Sequence, residues 1–285
     1  MASEVLKHGY AELDEVFMHY VEVGNGPHLL LVHGWPQTWY EWRHVIPALS
    51  RHYHVIAPDL RGMGDSSRPV TGYDKRTLAG DLWQLMHDHF KVEEFHLVGH
   101  DWGGPTAFAL AAAHPGAVLR LAILDVVIPG DGAEGFSQGG RRWHHAFHMT
   151  ADLPEALIQG REKIYLSWFY RNFAHRPDAV GPADLAEYLR TYEQPGAMRA
   201  GLELYRTLPQ DIADNRDRIA QGKLPMPVLG IGGAKAFGRG AEVGESLRRV
   251  ADQVEAEIVP DCGHFIPEEA PDFLAKRLLR FFGGA

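Results

Sequence analysis

Apolar residues follow two rhythms along this chain, one of period two and one of period 3.6, and they alternate in blocks. Val16 to Val23 alternates and turns at Gly24-Asn25-Gly26, which predicts a hairpin strand. Leu29 to His33 is an apolar run too short for a helix and is closed by Gly34-Trp35-Pro36, as expected of a strand buried on both faces. Trp42, Val45, Ile46 and Leu49 keep helical spacing, and Tyr53 to Ala57 reads as a strand ending at Pro58-Asp59. The same reading predicts a helix over Asp74 to His89, a strand over Phe95 to Gly99, a helix over Gly103 to His114 and a strand over Leu119 to Val126. Strands and helices alternating at these lengths imply right-handed βαβ crossovers and a mostly parallel sheet, hence an α/β fold.

From Ile128 the pattern changes to charged, aromatic-rich helical segments such as Pro154 to Phe173 and Ala183 to Thr191, with no clear strand. The alternation returns as a strand over Met226 to Gly232, a helix over Ala241 to Ala251, a strand over Val254 to Val259 and a helix over Ala270 to Phe282. The length of 285 residues allows one domain or two unequal ones. The pattern resolves this into a core of residues 1–127 and 219–285, interrupted by a helical insertion of residues 128–218.

Composition narrows the function. With Cys262 as the one cysteine, no disulfide can form within the chain and no zinc site can be built from several thiolates. A net charge of -9 disfavours a phosphate-tracking surface, so nucleic acid is not an expected partner. Charges interrupt the apolar residues near the N-terminus, and no segment approaches the ~20 apolar residues of a membrane span, so a cytoplasmic protein is expected. A homodimer is left open.

Candidate chemistry centres on Gly99-His100-Asp101-Trp102-Gly103-Gly104, which follows a predicted strand and opens a predicted helix. This is the form of a nucleophile elbow, a tight turn that lifts one side chain, here Asp101, above the sheet. Taken alone it also fits a Gly-rich turn with a capping Asp, so the partners decide. A base is expected in the loop after the last strand, where Asp261-Cys262-Gly263-His264 supplies His264. A carboxylate should hold that imidazole. The stretch Gly232 to Gly238 has no acid, whereas the strand after the elbow ends in Asp125, the acid by position and elimination. Parallel neighbours would bring Asp101 and Asp125 to one sheet edge, about 4.8 Å apart per strand step. An oxyanion site is expected from the backbone N–H groups of Trp102 and of Trp35 in the loop after a neighbouring strand. An Asp nucleophile can attack saturated carbon to give an alkyl ester, which His-activated water then cleaves. Epoxides and alkyl halides suit that chemistry, with no metal or organic cofactor.

Together His33-Gly34-Trp35-Pro36, Asp59-Leu60-Arg61-Gly62-Met63-Gly64-Asp65-Ser66, Gly99 to Gly104, Asp125 and Gly263-His264 resemble the α/β-hydrolase superfamily, specifically its epoxide hydrolase and dehalogenase branch. The resemblance covers essentially the whole chain. It implies an α/β-hydrolase fold, a mostly parallel twisted sheet with helices on both faces, in which the insertion is a helical cap over the active site. It further implies that two cap residues protonate the epoxide oxygen: Tyr205, in a Tyr-Arg motif with Arg206, and His144, a pairing similar to the Cif-like epoxide hydrolases. The implied substrates are a small apolar epoxide and water, contacted by Trp35, Trp102, His144 and Tyr205, and the product is a vicinal diol. Because free His titrates near ~6.5 and Tyr near ~10, ring opening is expected to be more pH-sensitive than with two tyrosines. His145 and His148 compete with His144 for this position. Dehalogenases are the rival reading, but haloacid enzymes carry arginines where Trp102 and Pro105 stand, and haloalkane enzymes resemble His-Gly-Asn-Pro where this chain has Trp35. A non-catalytic pocket protein of the same fold is a further alternative, disfavoured because all three triad members are present. Trp143, Trp168, Phe169, Tyr170 and Phe173 are read as cap packing outside the site, His100 as structural, and Cys262 as a small packed hydrophobe.

Overall fold

Strands β1 (Lys7–Glu12), β2 (Phe17–Val23), β3 (His28–Val32), β4 (His54–Pro58), β5 (Phe95–His100), β6 (Val118–Leu124), β7 (Leu224–Gly233) and β8 (Ala251–Val259) form a single sheet. The computed structural model describes residues 5–133 and 135–283. Across the sheet the order is β1-β2-β4-β3-β5-β6-β7-β8. Pairs β1–β2 and β2–β4 are antiparallel and the other five are parallel.

The helices are α1 (Ile46–Leu49), α2 (Lys75–Trp83), α3 (Gly103–Ala113), α4 (His144–Met149), α5 (Leu153–Ile158), α6 (Glu162–Phe173), α7 (Pro182–Tyr192), α8 (Ala197–Arg206), α9 (Leu208–Ala220), α10 (Glu242–Val250), α11 (Ile266–Glu269) and α12 (Pro271–Phe282). Strand periodicity divides the core in two. Leu30 and Val32 of β3 join Leu78, Phe108 and Leu247 from α2, α3 and α10 on one face, while Leu29 and Leu31 join Leu49, Leu274 and Leu278 from α1 and α12 on the other.

Four details depart from the sequence reading. The hairpin turn lies before β2, closed by the Leu13 N–H on the Val16 carbonyl, and not at Gly24-Asn25-Gly26, because β2 pairs with β1 and β4 and not with β3. β1 was not expected, because an edge strand with one neighbour carries the mostly exposed residues Lys7-His8-Gly9-Tyr10 and shows no buried alternation. The helix expected over Pro154 to Phe173 is two helices, α5 and α6, broken where Gly160 takes a positive φ of 74°. The helix expected over Asp74 to His89 continues from α2 into a π turn over Gln84–His89. Between β6 and β7, the described residues contain α4 to α9 and no strand.

Candidate active site

The site is built on the C-terminal ends of the parallel strands, the edge where open α/β sheets place their ligands. Asp101 follows β5 directly and adopts φ 46°, a left-handed conformation that a non-Gly residue holds only against strain. Two close approaches enforce the turn. A Cβ on Gly99 would lie 2.3 Å from the Gly103 carbonyl oxygen, and one on Gly103 would lie 2.2 Å from that of Val32. Small residues here let α3 start immediately after the strand and leave Asp101 projecting, its side chain 17% exposed.

Strand adjacency assembles the partners. β5 and β6 pair with His100 opposite Leu124, so Asp101 and Asp125 stand side by side at the strand ends. Asp125 Oδ2 lies 2.7 Å from His264 Nδ1. Its Oδ1 accepts the backbone N–H groups of Gly233 at 2.9 Å and Arg239 at 2.8 Å. The loop after β7 that lacks an acid therefore serves the acid on β6 by donating to it. His264 Nε2 faces Asp101 Oδ2 at 3.4 Å. Asp101 Oδ1 accepts the Trp35 backbone N–H at 2.9 Å, and the Trp102 backbone N–H also bonds this carboxylate. Burial alone would raise the Asp101 carboxyl. The close approach and charge of His264, with the charge of His100 and the Trp102 N–H, outweigh burial and hold it well below the usual carboxylate range.

His100 is fully buried and turned away from the site. Its Nε2–H donates to the His264 carbonyl at 2.9 Å, and its Nδ1 lies 3.1 Å from Glu41 Oε2. Burial opposes its charge, but Glu41 overrides burial and raises the His100 pKa, while burial lifts Glu41 to about 7. On its other side the His264 backbone N–H donates to the Phe173 carbonyl at 2.9 Å, so His264 is held by both the core and α6. Cys262 is buried beside it with its thiol pushed up by burial, which leaves it unreactive.

Above this edge lie residues from α4, α6 and α8. Tyr205 is 2% exposed and its ring meets those of Trp102 at 4.9 Å, Trp35 at 5.6 Å and His148 at 4.3 Å. Burial, then the charge of Asp101, lifts its pKa well above that of free tyrosine, so its hydroxyl stays protonated. All three candidate histidines are buried around it. His145 Nδ1 is bonded to Ser137 Oγ at 2.9 Å and His148 Nε2 to Tyr165 Oη at 2.6 Å, whereas His144 Nδ1 is buried without a partner. The expectation that His144 titrates near neutrality is overturned. Burial drives its pKa far below 6.5, and any proton taken up by His145 or His148 would lower it further, so it stays neutral.

Phe169 and Phe173, read from sequence as packing away from the site, are corrected by their positions. Each ring lies 5.3 Å from His144, and Phe173 lies 5.8 Å from His264. The signal was available: Tyr165, Phe169 and Phe173 recur at every fourth residue and form one helical stripe. Trp168 and Trp143, off the site, are 38% and 42% exposed.

Gly201 lies four residues before Tyr205 on α8 and packs on the Trp35 indole. A Cβ there would sit 2.7 Å from Trp35 Nε1. An alanine in a helix interior normally gains about 1 kcal/mol over glycine. Here the indole is buried and cannot yield, so overpacking of about 1–3 kcal/mol reverses the sign. Gly201→Ala is expected to lower the melting temperature and the activity together, checked by calorimetry and turnover. A stabilised variant would contradict the packing.

This strand-end constellation defines the class. The chain belongs to the α/β-hydrolase family, whose model, described as the alpha/beta hydrolase fold, matches residues 27–228. It is 39% identical to the soluble epoxide hydrolase of Corynebacterium sp. (strain C12), over 99% of each chain. It is 32% identical to the fluoroacetate dehalogenase of Burkholderia sp., over 96% of this chain and 93% of that one. Among solved structures it resembles the ligand-free epoxide hydrolase CorEH, with a TM-score of 0.91 and 39% identity over 98% of this chain and 99% of that one. It is also similar to Cfl2 from Burkholderia cenocepacia, with a TM-score of 0.90 and 42% identity over 97% of this chain and 95% of that one. Among the described residues no helix is long and apolar enough to cross a membrane.

Proposed function

We propose that this hydrolase opens a small apolar epoxide to a vicinal diol through a covalent alkyl ester on Asp101. The observation that carries this reading is the division of the Asp101 carboxylate: Oδ1 is held by the Trp35 N–H while Oδ2 faces His264 Nε2. Oδ2 attacks a ring carbon, the ring C–O bond breaks, and Tyr205, assisted by His144, gives a proton to the departing oxygen. Water then adds to Asp101 Cγ as His264 takes its proton and Asp125 supports the imidazolium. Negative charge on Oδ1 is stabilised by the two N–H groups of Trp35 and Trp102. His264 returns the proton to the leaving alcohol, the Cγ–O ester bond breaks, and the proton of the regenerated acid restores Tyr205. Residues 128–218 act as the roof of the site, and the aromatic stripe of α6 with Trp35 and Trp102 suits an apolar substrate. The soluble epoxide hydrolase relative supports this choice.

Halide release is the second reading. It is favoured by the indole N–H groups of Trp35 and Trp102, both buried without partners, and by the fluoroacetate dehalogenase relative. The test measures diol formation from styrene oxide beside halide release from fluoroacetate and 1-chlorobutane. Diol formation is expected to dominate, and halide release alone would overturn the epoxide reading. Tight ligand binding without either activity would favour a non-catalytic pocket. In the same assay Tyr205→Phe is expected to cut diol formation by about 10²-fold or more. Full activity would place the proton donor elsewhere.

A further inference from the structure

Lys75 is the first residue of α2, and its side chain is only 2% exposed. Its ammonium donates to the Leu204 carbonyl at 2.6 Å, to Thr207 Oγ1 at 3.1 Å and to Asp211 Oδ2 at 2.8 Å, which occupies all three protons. Asp211 Oδ1 accepts the Lys75 backbone N–H at 2.8 Å. The Leu204 carbonyl belongs to the last turn of α8, next to Tyr205, and Asp211 to the first turn of α9. A cation at one helix C-terminus and an anion at the following N-terminus both complement the backbone dipoles. The ammonium also lies 4.2 Å from the centroid of the Trp102 ring, the ring whose edge contact with Tyr205 was described above. One buried cation thus grips the peptide beside Tyr205 and the indole wall behind it. No step of the proposed reaction consumes it.

We infer that Lys75 is a positioning residue that sets Tyr205 over Asp101 from the core side, so that the proton donor meets the epoxide oxygen during ring opening. This rests on the reading of Tyr205 as the ring-opening acid. Arg206 anchors the same turn from the opposite side through Glu155 at 2.7 Å, so Lys75 supplies the only described link from α2 to the carbonyl preceding Tyr205.

Lys75→Met strands a buried carboxylate, so Lys75→Met/Asp211→Asn is made beside it. Stopped-flow kinetics separate formation of the alkyl ester from its hydrolysis. A misplaced acid should slow ester formation by about 10²-fold. Hydrolysis, which uses His264 and Asp125, should keep its rate, and the loss should vanish when Tyr205→Phe is already present. Equal slowing of both steps, or losses that multiply with Tyr205→Phe, would overturn the inference. If the wild-type protein proves inert to epoxides, the proposed reaction fails instead. Crystal structures of the wild type and the double variant then decide the positioning claim, which is overturned by a Tyr205 ring that has not moved.

Discussion

Styrene oxide mixed with the His264→Gln variant is expected to leave an alkyl group on Asp101 that persists. Attack by Asp101 Oδ2 on a ring carbon needs a free carboxylate and a proton donor above it. When His264 is replaced, the Trp35 and Trp102 N–H groups and the charge of His100 remain to favour the Asp101 carboxylate, and the raised pKa of Tyr205 keeps its proton in place. Ester cleavage is different, because water is too weak a nucleophile without a base, and in the proposed reaction that base is His264 Nε2, 3.4 Å from Oδ2. The variant should therefore turn over about 10²–10⁴-fold more slowly, with ester accumulating in the first turnover. Peptide mass spectrometry should find the peptide containing Asp101 heavier by one epoxide, and Asp101→Asn should show no adduct. An unmodified peptide, with an active wild type, would defeat covalent catalysis.

Acidification should destabilise the protein steeply below neutrality. His145 is pushed down to about 3, by burial first and then by Arg142 and Arg239, and His144 and His148 are pushed far below 6.5, chiefly by burial. In the unfolded chain all three titrate near ~6.5. As the pH falls below that value the unfolded state takes up protons that the folded state refuses, so stability falls with pH throughout the window. Each group costs about 1.4 kcal/mol per pH unit, or about 4 for the three. Glu41, lifted to about 7, acts oppositely because the folded state keeps a proton that the unfolded state loses, which trims the slope by about 1.4 kcal/mol per pH unit. The combined loss of about 3 kcal/mol per unit from these four groups is large against a typical total of about 5–15 kcal/mol. Urea midpoints measured from pH 6.5 down to 5 should fall, and His145→Leu should remove one proton from the slope. A flat profile would mean that these histidines are charged in the folded protein. The same neutrality implies that His144 contributes no limb to the pH–rate profile near 6.5.

Much of the site was legible because its elements are local. Gly99 and Gly103 spell a turn that larger residues would block, and the residue between them at its apex is Asp101. Asp125 could be read because β6 follows the elbow helix, and parallel pairing of successive strands puts their ends at one edge. β1 escaped detection because a strand with one neighbour and little buried surface needs no apolar alternation. Phe169 and Phe173 lay on a visible stripe, but periodicity says which residues share a face without saying what that face meets.

Lys75 marks the boundary most clearly. In sequence it is one charge at a helix start, and its partners Leu204, Thr207 and Asp211 lie far along the chain, in α8, in α9 and at the junction between them. The sequence by itself determined the α/β alternation, the elbow and the order of the candidate triad, since these follow from local backbone geometry and strand adjacency. Only the tertiary structure decided the neutral state of His144, the inward stripe of α6 and the grip of Lys75 beside Tyr205. Desolvation and long-range contact depend on which surfaces meet, and no local pattern encodes that.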